Sequence, residues 1–229
     1  MNRNSNPWKD LYNIAGVAAF ITALIIPISI AAFFIWPPFP DDIFGVIQAS
    51  RLAGLMSLDF LYLLGNVFAI PVLLVLYITL RRSNESLSLL ALVLGLIGLI
   101  ALIQARPVIE VMALSDQYAA ATSEAERTII MAAKEAVLAQ FRGTAFGAHY
   151  ILGSLALLIF SFVMLRSTVF SKAAAYVGIV TNVVVFGYYV PVVGVYISLV
   201  SVLGYLIWWI MLGLRFFRLA KEPERAPAG

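Results

Sequence analysis

The residues of this chain that could do acid–base chemistry are few, and the main ones are Asp59, Glu110 and His149. A carboxylate and an imidazole within reach of one another are the usual groups for general acid and base catalysis. The stretch IQARPVIEVM, residues 103–112, also places Arg106 four residues before Glu110. Because a charge inside a membrane span usually marks a functional site, the depth of these residues decides how they are interpreted.

The charged and titratable residues lie at similar depths when each is counted from the inner end of its apolar run. At 1.5 Å per residue, Arg106 is about 28 Å from that end and Glu110 about 35 Å. Asp59 is about 31 Å away and His149 about 25 Å by the same count. The hydrocarbon core is about 30 Å thick, so we expect these residues near its outer boundary.

A polar cluster is therefore predicted at the outer ends of the spans. Asp59, Tyr62 and Asn66 share one stripe of the second apolar run, and such a stripe is expected to face the interior of a bundle. The predicted ligand-contacting residues are Asp59, Tyr62, Asn66, Arg106, Glu110 and His149.

The charges of this cluster have two interpretations. Arg106 and Glu110, in an i, i+4 relation, could form a salt bridge that ends the third span. Alternatively, the two residues line an outward-facing cavity together with Asp59. Asp59 could also have a structural role, paired with Arg106 or with Arg51. Pro107 leaves the preceding turn of the helix without one N–H donor, so a bend is expected there.

The uncharged members of the cluster are equally open to two interpretations. Tyr62 and Asn66 are residue types that form hydrogen bonds between helices in membranes, or that contact a ligand. His149 could be a structural hydrogen-bonding residue or part of a proton relay.

Composition excludes most other chemistry. The chain has 229 residues, of which 62% are hydrophobic and 12% charged, and its mean hydropathy is +0.98. It has no cysteine and one histidine, which excludes disulfides and a cysteine nucleophile and argues against zinc or haem. Phosphate-loop, serine-hydrolase and nucleic-acid-binding patterns are missing from the sequence. We expect no catalytic residue, metal ion or cofactor, and no nucleic-acid partner.

The apolar runs predict an all-α fold, a bundle of six membrane-spanning helices that forms a single domain over residues 1–229. Unsatisfied backbone groups cost several kcal/mol in lipid, so apolar runs of about 20 residues are expected to be helical. The predicted spans are residues 11–36, 51–80, 87–114, 144–165, 173–190 and 192–214.

The polar segment between the third and fourth spans predicts an amphipathic helix outside the membrane, over about residues 124–141. Ser123 followed by Glu126 is a capping-box pattern, which marks the start of a helix. The predicted apolar stripe is Ile130, Ala133, Val137 and Phe141, and the predicted polar residues are Glu126, Lys134 and Glu135.

The distribution of basic residues predicts the orientation. Ten of the 15 lysines and arginines lie at the chain ends or in the loops on the same side, including the basic tail 215–229. Because cytoplasmic loops are enriched in lysine and arginine, both termini are predicted to be cytoplasmic. We expect a multi-pass protein of the cytoplasmic membrane whose partners are the lipid bilayer and either another membrane protein or a second copy of the chain.

Two stretches resemble a known family. RLAGLMSLDFLYLLGNVFAIPVLLVLYITLRRSNESLSLLALVLGLIGLI, residues 51–100, has an aspartate in the span, a leucine-rich helix and a short basic loop. The second stretch is HYILGSLALLIFSFVMLRSTVFSKAAAYVGIVTNVVVFGYYV, residues 149–190. Over residues 11–219 the chain resembles a bacterial integral-membrane family, the domain-of-unknown-function family numbered 4386. The family usually has Phe-Pro where this chain has Phe170 and Ser171. The resemblance implies six spans and no particular activity.

These features predict a non-enzymatic integral membrane protein with a small outward-facing polar pocket for ligand sensing or transport. A structural or accessory subunit of a membrane protein complex is the alternative. A third interpretation is a lipid-acting membrane enzyme in which Asp59 or Glu110 acts together with His149. The two halves of the chain lack the self-similarity of an inverted-repeat transporter.

Overall fold

A computed structural model describes residues 6–222, and these residues contain helices and no strands. The chain ends, 1–5 and 223–229, lie outside the described residues, and with them the last part of the predicted basic tail. The helices are α1 Lys9–Ile35, α2 Ile43–Ala49, α3 Arg51–Ser57, α4 Phe60–Leu80, α5 Glu85–Ala105, α6 Val108–Ala120, α7 Glu124–Leu138, α8 Thr144–Arg166, α9 Lys172–Val185 and α10 Gly194–Leu219. Single 3-10 turns follow α7, at Ala139–Arg142, and α9, at Phe186–Tyr189.

Five helical segments of the described chain are long and apolar enough to cross a membrane, which is compatible with an all-α membrane bundle. The predicted fifth span, 173–190, corresponds to α9 and the 3-10 turn after it, and α9 has 14 residues. At 1.5 Å per residue it is about 21 Å long, less than the hydrocarbon thickness of about 30 Å. The five segments are Lys9–Ile35, Phe60–Leu80, Glu85–Ala120, Glu124–Arg166 and Tyr196–Leu219.

Two predicted spans are interrupted at charged residues. The run 51–80 is divided into α3 and α4 at Asp59, and the run 87–114 is divided into α5 and α6 at Arg106 and Pro107. The short helix α2 is an element that the hydropathy pattern did not predict. At the other end, α10 continues to Leu219, so the predicted basic tail begins within a helix.

Backbone contacts group the described residues into two compact units, and the single domain over residues 1–229 stays a prediction. The terminal unit contains residues 6–24, 66–96 and 152–222. The central unit contains residues 25–65 and 97–151.

In the terminal unit, α9 packs closely against α10 through glycine and polar contacts. Trp208 Nε1 donates a hydrogen bond to the carbonyl of Ala174 at 2.9 Å. A Cβ on Gly178 would lie 2.2 Å from Ser161 Oγ and 2.8 Å from Trp208 Nε1, so only glycine allows this approach. The buried Asn182 accepts from the Tyr205 hydroxyl at 2.8 Å. The pair agrees with the rule that polar groups buried among membrane helices bond to one another.

In the central unit, the short helices enclose a hydrophobic cluster of their own. Partly buried residues such as Ile130 and Val137 of α7 pack against it. The fully or nearly fully buried members are Ile43, Phe44, Ile47, Leu58, Val108, Val111 and Phe141.

Helix α7 confirms the predicted capping box and corrects one residue of the predicted polar face. The Ser123 side chain accepts from the Glu126 N–H, and the Glu126 carboxylate accepts from the Ser123 N–H. Lys134, however, is buried, with Nζ 5.6 Å from the centre of the Phe44 ring and 3.0 Å from Glu135 Oε1. The position four residues after Ile130 is on the packed stripe, and the long aliphatic stem of lysine allows it to be buried there.

Candidate functional site

Asp59 occupies the interruption between α3 and α4 in a left-handed backbone conformation, with φ 61°. Aspartate is one of the few residues other than glycine that adopts this region readily. Its carbonyl accepts from Tyr62 N–H at 3.1 Å and from Leu63 N–H at 3.3 Å, so it begins α4. The interruption turns the chain without leaving these backbone groups unpaired, as an apolar environment requires.

Arg106 and Pro107 form the interruption between α5 and α6. Pro107 has φ −74° and ψ 59°, and the N–H of Val108 donates to the carbonyl of Arg106 at 2.8 Å. These values describe an inverse γ-turn centred on the proline. The carbonyl of Ile103, which Pro107 deprives of its usual donor, accepts from Arg106 N–H at 3.3 Å.

The Arg106 guanidinium binds Asp59 across this pair of interruptions. Nε and Nη2 of Arg106 lie 3.3 and 3.1 Å from the same oxygen, Asp59 Oδ2. The arginine side chain is 4% exposed and the aspartate side chain 14%. A removed partner would leave a charge in a largely dry environment, where an unpaired charge is strongly unfavourable.

Two further N–H groups of Arg106, both on Nη1, donate to backbone carbonyls. Nη1 donates to Phe141 O at 3.2 Å and to Ala105 O at 3.3 Å. Through these bonds one side chain connects the start of α4, the end of α5 and the 3-10 turn that precedes α8.

Aromatic rings surround the guanidinium. Its Cζ atom lies 4.6 Å from the ring centre of Phe146, 5.4 Å from that of Phe141 and 5.5 Å from that of Tyr62. A cation within about 6 Å of an aromatic ring centre is attracted by the ring quadrupole. Phe141 and Phe146 are not among the predicted residues of this site, although Phe146 lies one helical turn before His149 and therefore on the same face of α8.

His149 forms a second hydrogen-bonded group with Tyr62 and the backbone of α5. The distance from Nδ1 to Gly98 O is 3.0 Å, and that from Nε2 to the Tyr62 hydroxyl is 2.8 Å. A carbonyl oxygen only accepts, so Nδ1 carries the proton, and in the neutral ring Nε2 accepts from Tyr62. Both ring nitrogens are engaged, which leaves no imidazole nitrogen available as a general base in this arrangement.

The structure thus brings together four of the six predicted residues: Asp59, Tyr62, Arg106 and His149. Glu110 is not with them. It is exposed on α6, and within residues 6–222 it has no hydrogen bond or ion pair. The i, i+4 contact with Arg106 requires a continuous helix, and the γ-turn at Pro107 interrupts it. Asn66 belongs to the terminal unit.

One carboxylate oxygen of the cluster remains available. Both bonds from Arg106 reach Oδ2 of Asp59, and Oδ1 has no hydrogen-bond partner within the described residues. An ionised carboxylate accepts hydrogen bonds from hydroxyl, amide or ammonium groups. Residues 6–222 contain no group of three or more histidine, aspartate or glutamate side chains placed to hold a metal ion.

No protein-family model, no curated protein and no solved structure matches this chain significantly.

Proposed function

We propose that this chain is a six-span, non-enzymatic protein of the cytoplasmic membrane that binds a small ligand at the Asp59–Arg106 pair, in sensing or transport. Both termini are cytoplasmic in this proposal, and α7 lies outside the membrane. The placement of ten of 15 basic residues supports the orientation. The length and apolarity of five helical segments support the membrane location. In this proposal α9 with its 3-10 turn is the one further span, the fifth in chain order. Membership of the family numbered 4386 is part of the proposal.

The observation that carries the proposal is the meeting of a buried arginine and a largely buried aspartate at two helix interruptions. Non-helical backbone at membrane depth is tolerated where it is buried in protein or lines a cavity, and interrupted helices often form the ligand sites of membrane proteins. Ionisable residues in such positions are rare and commonly functional. Asp59 and Arg106 combine both properties.

The hydrogen-bonding pattern favours a ligand that donates hydrogen bonds. Four of the five N–H groups of the Arg106 guanidinium already donate to the protein, so an incoming carboxylate or phosphate could gain a single new bond, from Nη2, without displacing the others. Asp59 Oδ1 is the atom that can accept a new bond. The ligand expected is therefore a small amine or polyol.

Thermal stabilisation of the purified protein by a ligand panel tests this function. The panel contains amines, polyols, carboxylates and phosphates, and ligand at 100 times its dissociation constant stabilises a protein by about 2.7 kcal/mol. We expect stabilisation by a donor ligand, its loss in Asp59→Asn, and its retention in Asp116→Asn, which removes an exposed carboxylate in the same unit. No stabilisation by any compound, or an equal response in both variants, would contradict the proposal.

The second candidate is a structural or accessory subunit, and the bonds that Arg106 already makes within the protein favour it. A guanidinium with four of its five N–H groups bonded to Asp59, Ala105 and Phe141 can connect helices without any ligand. In that case the central unit would present a fixed surface to another membrane protein. Gentle purification after cross-linking distinguishes the two candidates, since a reproducible stoichiometric partner is expected only of the subunit.

The lipid-acting enzyme is the least supported of the three interpretations. Acid–base catalysis needs a nitrogen or oxygen positioned toward the substrate. His149 bonds to Tyr62 and Gly98, and Glu110 is apart from it on α6.

A further inference from the structure

A groove in the terminal unit combines an apolar wall with unpaired polar donors. It lies between the start of α5 and the end of α8 and has a volume of about 380 Å³. Small-molecule sites usually occupy about 300–1,000 Å³. The lining residues are Asn84, Leu87, Ile159, Phe162, Val163, Leu165 and Arg166.

The polar end of this groove has two available donor groups. Arg166 is exposed, and within residues 6–222 its guanidinium has no ion pair or hydrogen bond. The Asn84 side-chain oxygen caps α5 by accepting from Leu87 N–H at 3.0 Å, so its Nδ2 group points away from that bond and has no partner in the described chain. Lys172, unlike these two groups, already has a hydrogen-bond partner, since its Nζ donates to the carbonyl of Leu165 at the end of α8.

The charges around the groove favour an anion. Arg81 and Arg82 follow the last residue of α4, in the turn that leads to Asn84. Glu85, at the start of α5, is the acidic residue of the same turn. A phosphate oxygen is the acceptor that arginine binds most strongly, in a bidentate geometry.

The apolar wall favours an acyl chain beside that anion. Leu87 and Phe162 are 39% and 49% exposed, and both line the groove next to the donors. The groove lies at the ends of two apolar helices, where α5 begins and α8 ends. A molecule with a phosphate joined to hydrocarbon chains could bind both the polar donors and the apolar wall of the groove, whereas free phosphate could bind only the donors.

We propose that this groove binds the headgroup and upper acyl chain of an anionic phospholipid. Basic pockets between membrane helices on the cytoplasmic side bind acidic headgroups by the same chemistry. Arg166 and Asn84 Nδ2 bind the phosphate, and Leu87, Ile159 and Phe162 pack against the first methylenes of the chain.

Lipid competition on the purified protein tests this site. The full-length protein is reconstituted in nanodiscs of phosphatidylcholine with a minor fraction of phosphatidylglycerol, extracted, and its retained lipids are measured by native mass spectrometry. We expect enrichment of phosphatidylglycerol over its fraction in the nanodisc, and a reduction of about fivefold in the Arg166→Gln variant, as expected for one basic residue near a headgroup. Arg218→Gln is the matched control, since Arg218 is an exposed arginine near the end of α10 that does not line the groove.

Three results would overturn the proposal. Equal loss of lipid in Arg166→Gln and Arg218→Gln, or no enrichment of phosphatidylglycerol, would overturn the proposal, because the attraction would then be diffuse or absent. Displacement of the lipid by millimolar inorganic phosphate would also overturn it in favour of a phosphate site. A Leu87→Ser variant separates lipid from phosphate again, since it should weaken lipid retention while Arg166 is intact. Unchanged melting temperatures of the variants show that folding is preserved.

Discussion

The central unit contains two arginine–aspartate pairs with similar geometry and very different surroundings. Arg106 lies 3.1 Å from Asp59, with side chains 4% and 14% exposed. Arg51 lies 2.8 Å from Asp116, with side chains 58% and 57% exposed. The shorter pair is in water, where a salt bridge contributes about 0–1 kcal/mol. We therefore expect the contribution of an ion pair to stability here to depend more on its burial and on the bonds around it than on its length.

The largest effect is expected for removal of the buried cation. Arg106→Met leaves Asp59 without its partner and removes the bonds to Ala105 and Phe141. We expect the free energy of unfolding to fall by about 3–5 kcal/mol. Equilibrium unfolding of the detergent-solubilised protein by SDS measures it, with Arg51→Met as the matched control. A loss no larger than that of the control would remove the distinction between the two pairs.

A smaller effect is expected at Asp59, where charge and backbone conformation can be separated. Asp59→Asn weakens the pair and keeps a residue that tolerates φ 61°, so we expect a loss of about 1–3 kcal/mol. Asp59→Ala also places a less tolerant residue in the left-handed region, which adds about 1–2 kcal/mol. The same unfolding titration compares them. Equal losses in both variants would show that backbone conformation contributes nothing measurable at this position.

Loss of the Tyr62 hydroxyl is expected to have a moderate effect. Tyr62→Phe removes the donor to His149 Nε2 and retains the ring beside Arg106. A destabilisation of about 1 kcal/mol is expected for one such hydrogen bond. Tyr118→Phe is the control, because the Tyr118 hydroxyl forms no hydrogen bond within residues 6–222 while its ring packs against Phe44. Melting temperatures of the two variants should separate, and coinciding values would count against the hydrogen bond.

The smallest effect is expected for the exposed pair. Asp116→Asn removes the partner of Arg51, and we expect a loss of about 0.2–1 kcal/mol. Since the Debye length falls to about 3 Å at 1 M salt, this difference should vanish there. Melting curves at low and high salt measure it, and a salt-insensitive loss would indicate that the pair is less exposed than its geometry implies.

Sequence could predict that Asp59, Tyr62, Arg106 and His149 meet, because depth and helical face are regular functions of residue number. Glu110 does not lie with these four residues, and the reason is local. The same counting assumes an unbroken helix, and the γ-turn at Pro107 places Glu110 on an exposed face of α6. The proline predicted a bend. The geometry of that bend depends on which N–H group donates a hydrogen bond to the carbonyl of Ile103.

The remaining differences come from contacts that a hydropathy pattern does not contain. Lys134 was predicted on the polar face of α7. Its spacing from Ile130 and Phe141 places it instead on the stripe that packs against the central unit's hydrophobic cluster. Helix α2 is short, and its start at Asp42 depends on a cap bond from the Gly45 N–H to the aspartate side chain. The interruption at Asp59 depends on the left-handed backbone conformation of that residue. The apolar composition of the run predicts a continuous helix through Asp59.

The Asp59–Arg106 pair also constrains the order in which the chain can be assembled in the membrane. The two residues are 47 positions apart, so during synthesis Asp59 enters the bilayer region well before its partner. Until α5 is in place, that carboxylate has no internal cation and must remain hydrated or protonated. A chain stopped before Arg106 therefore leaves an unneutralised aspartate at the start of α4.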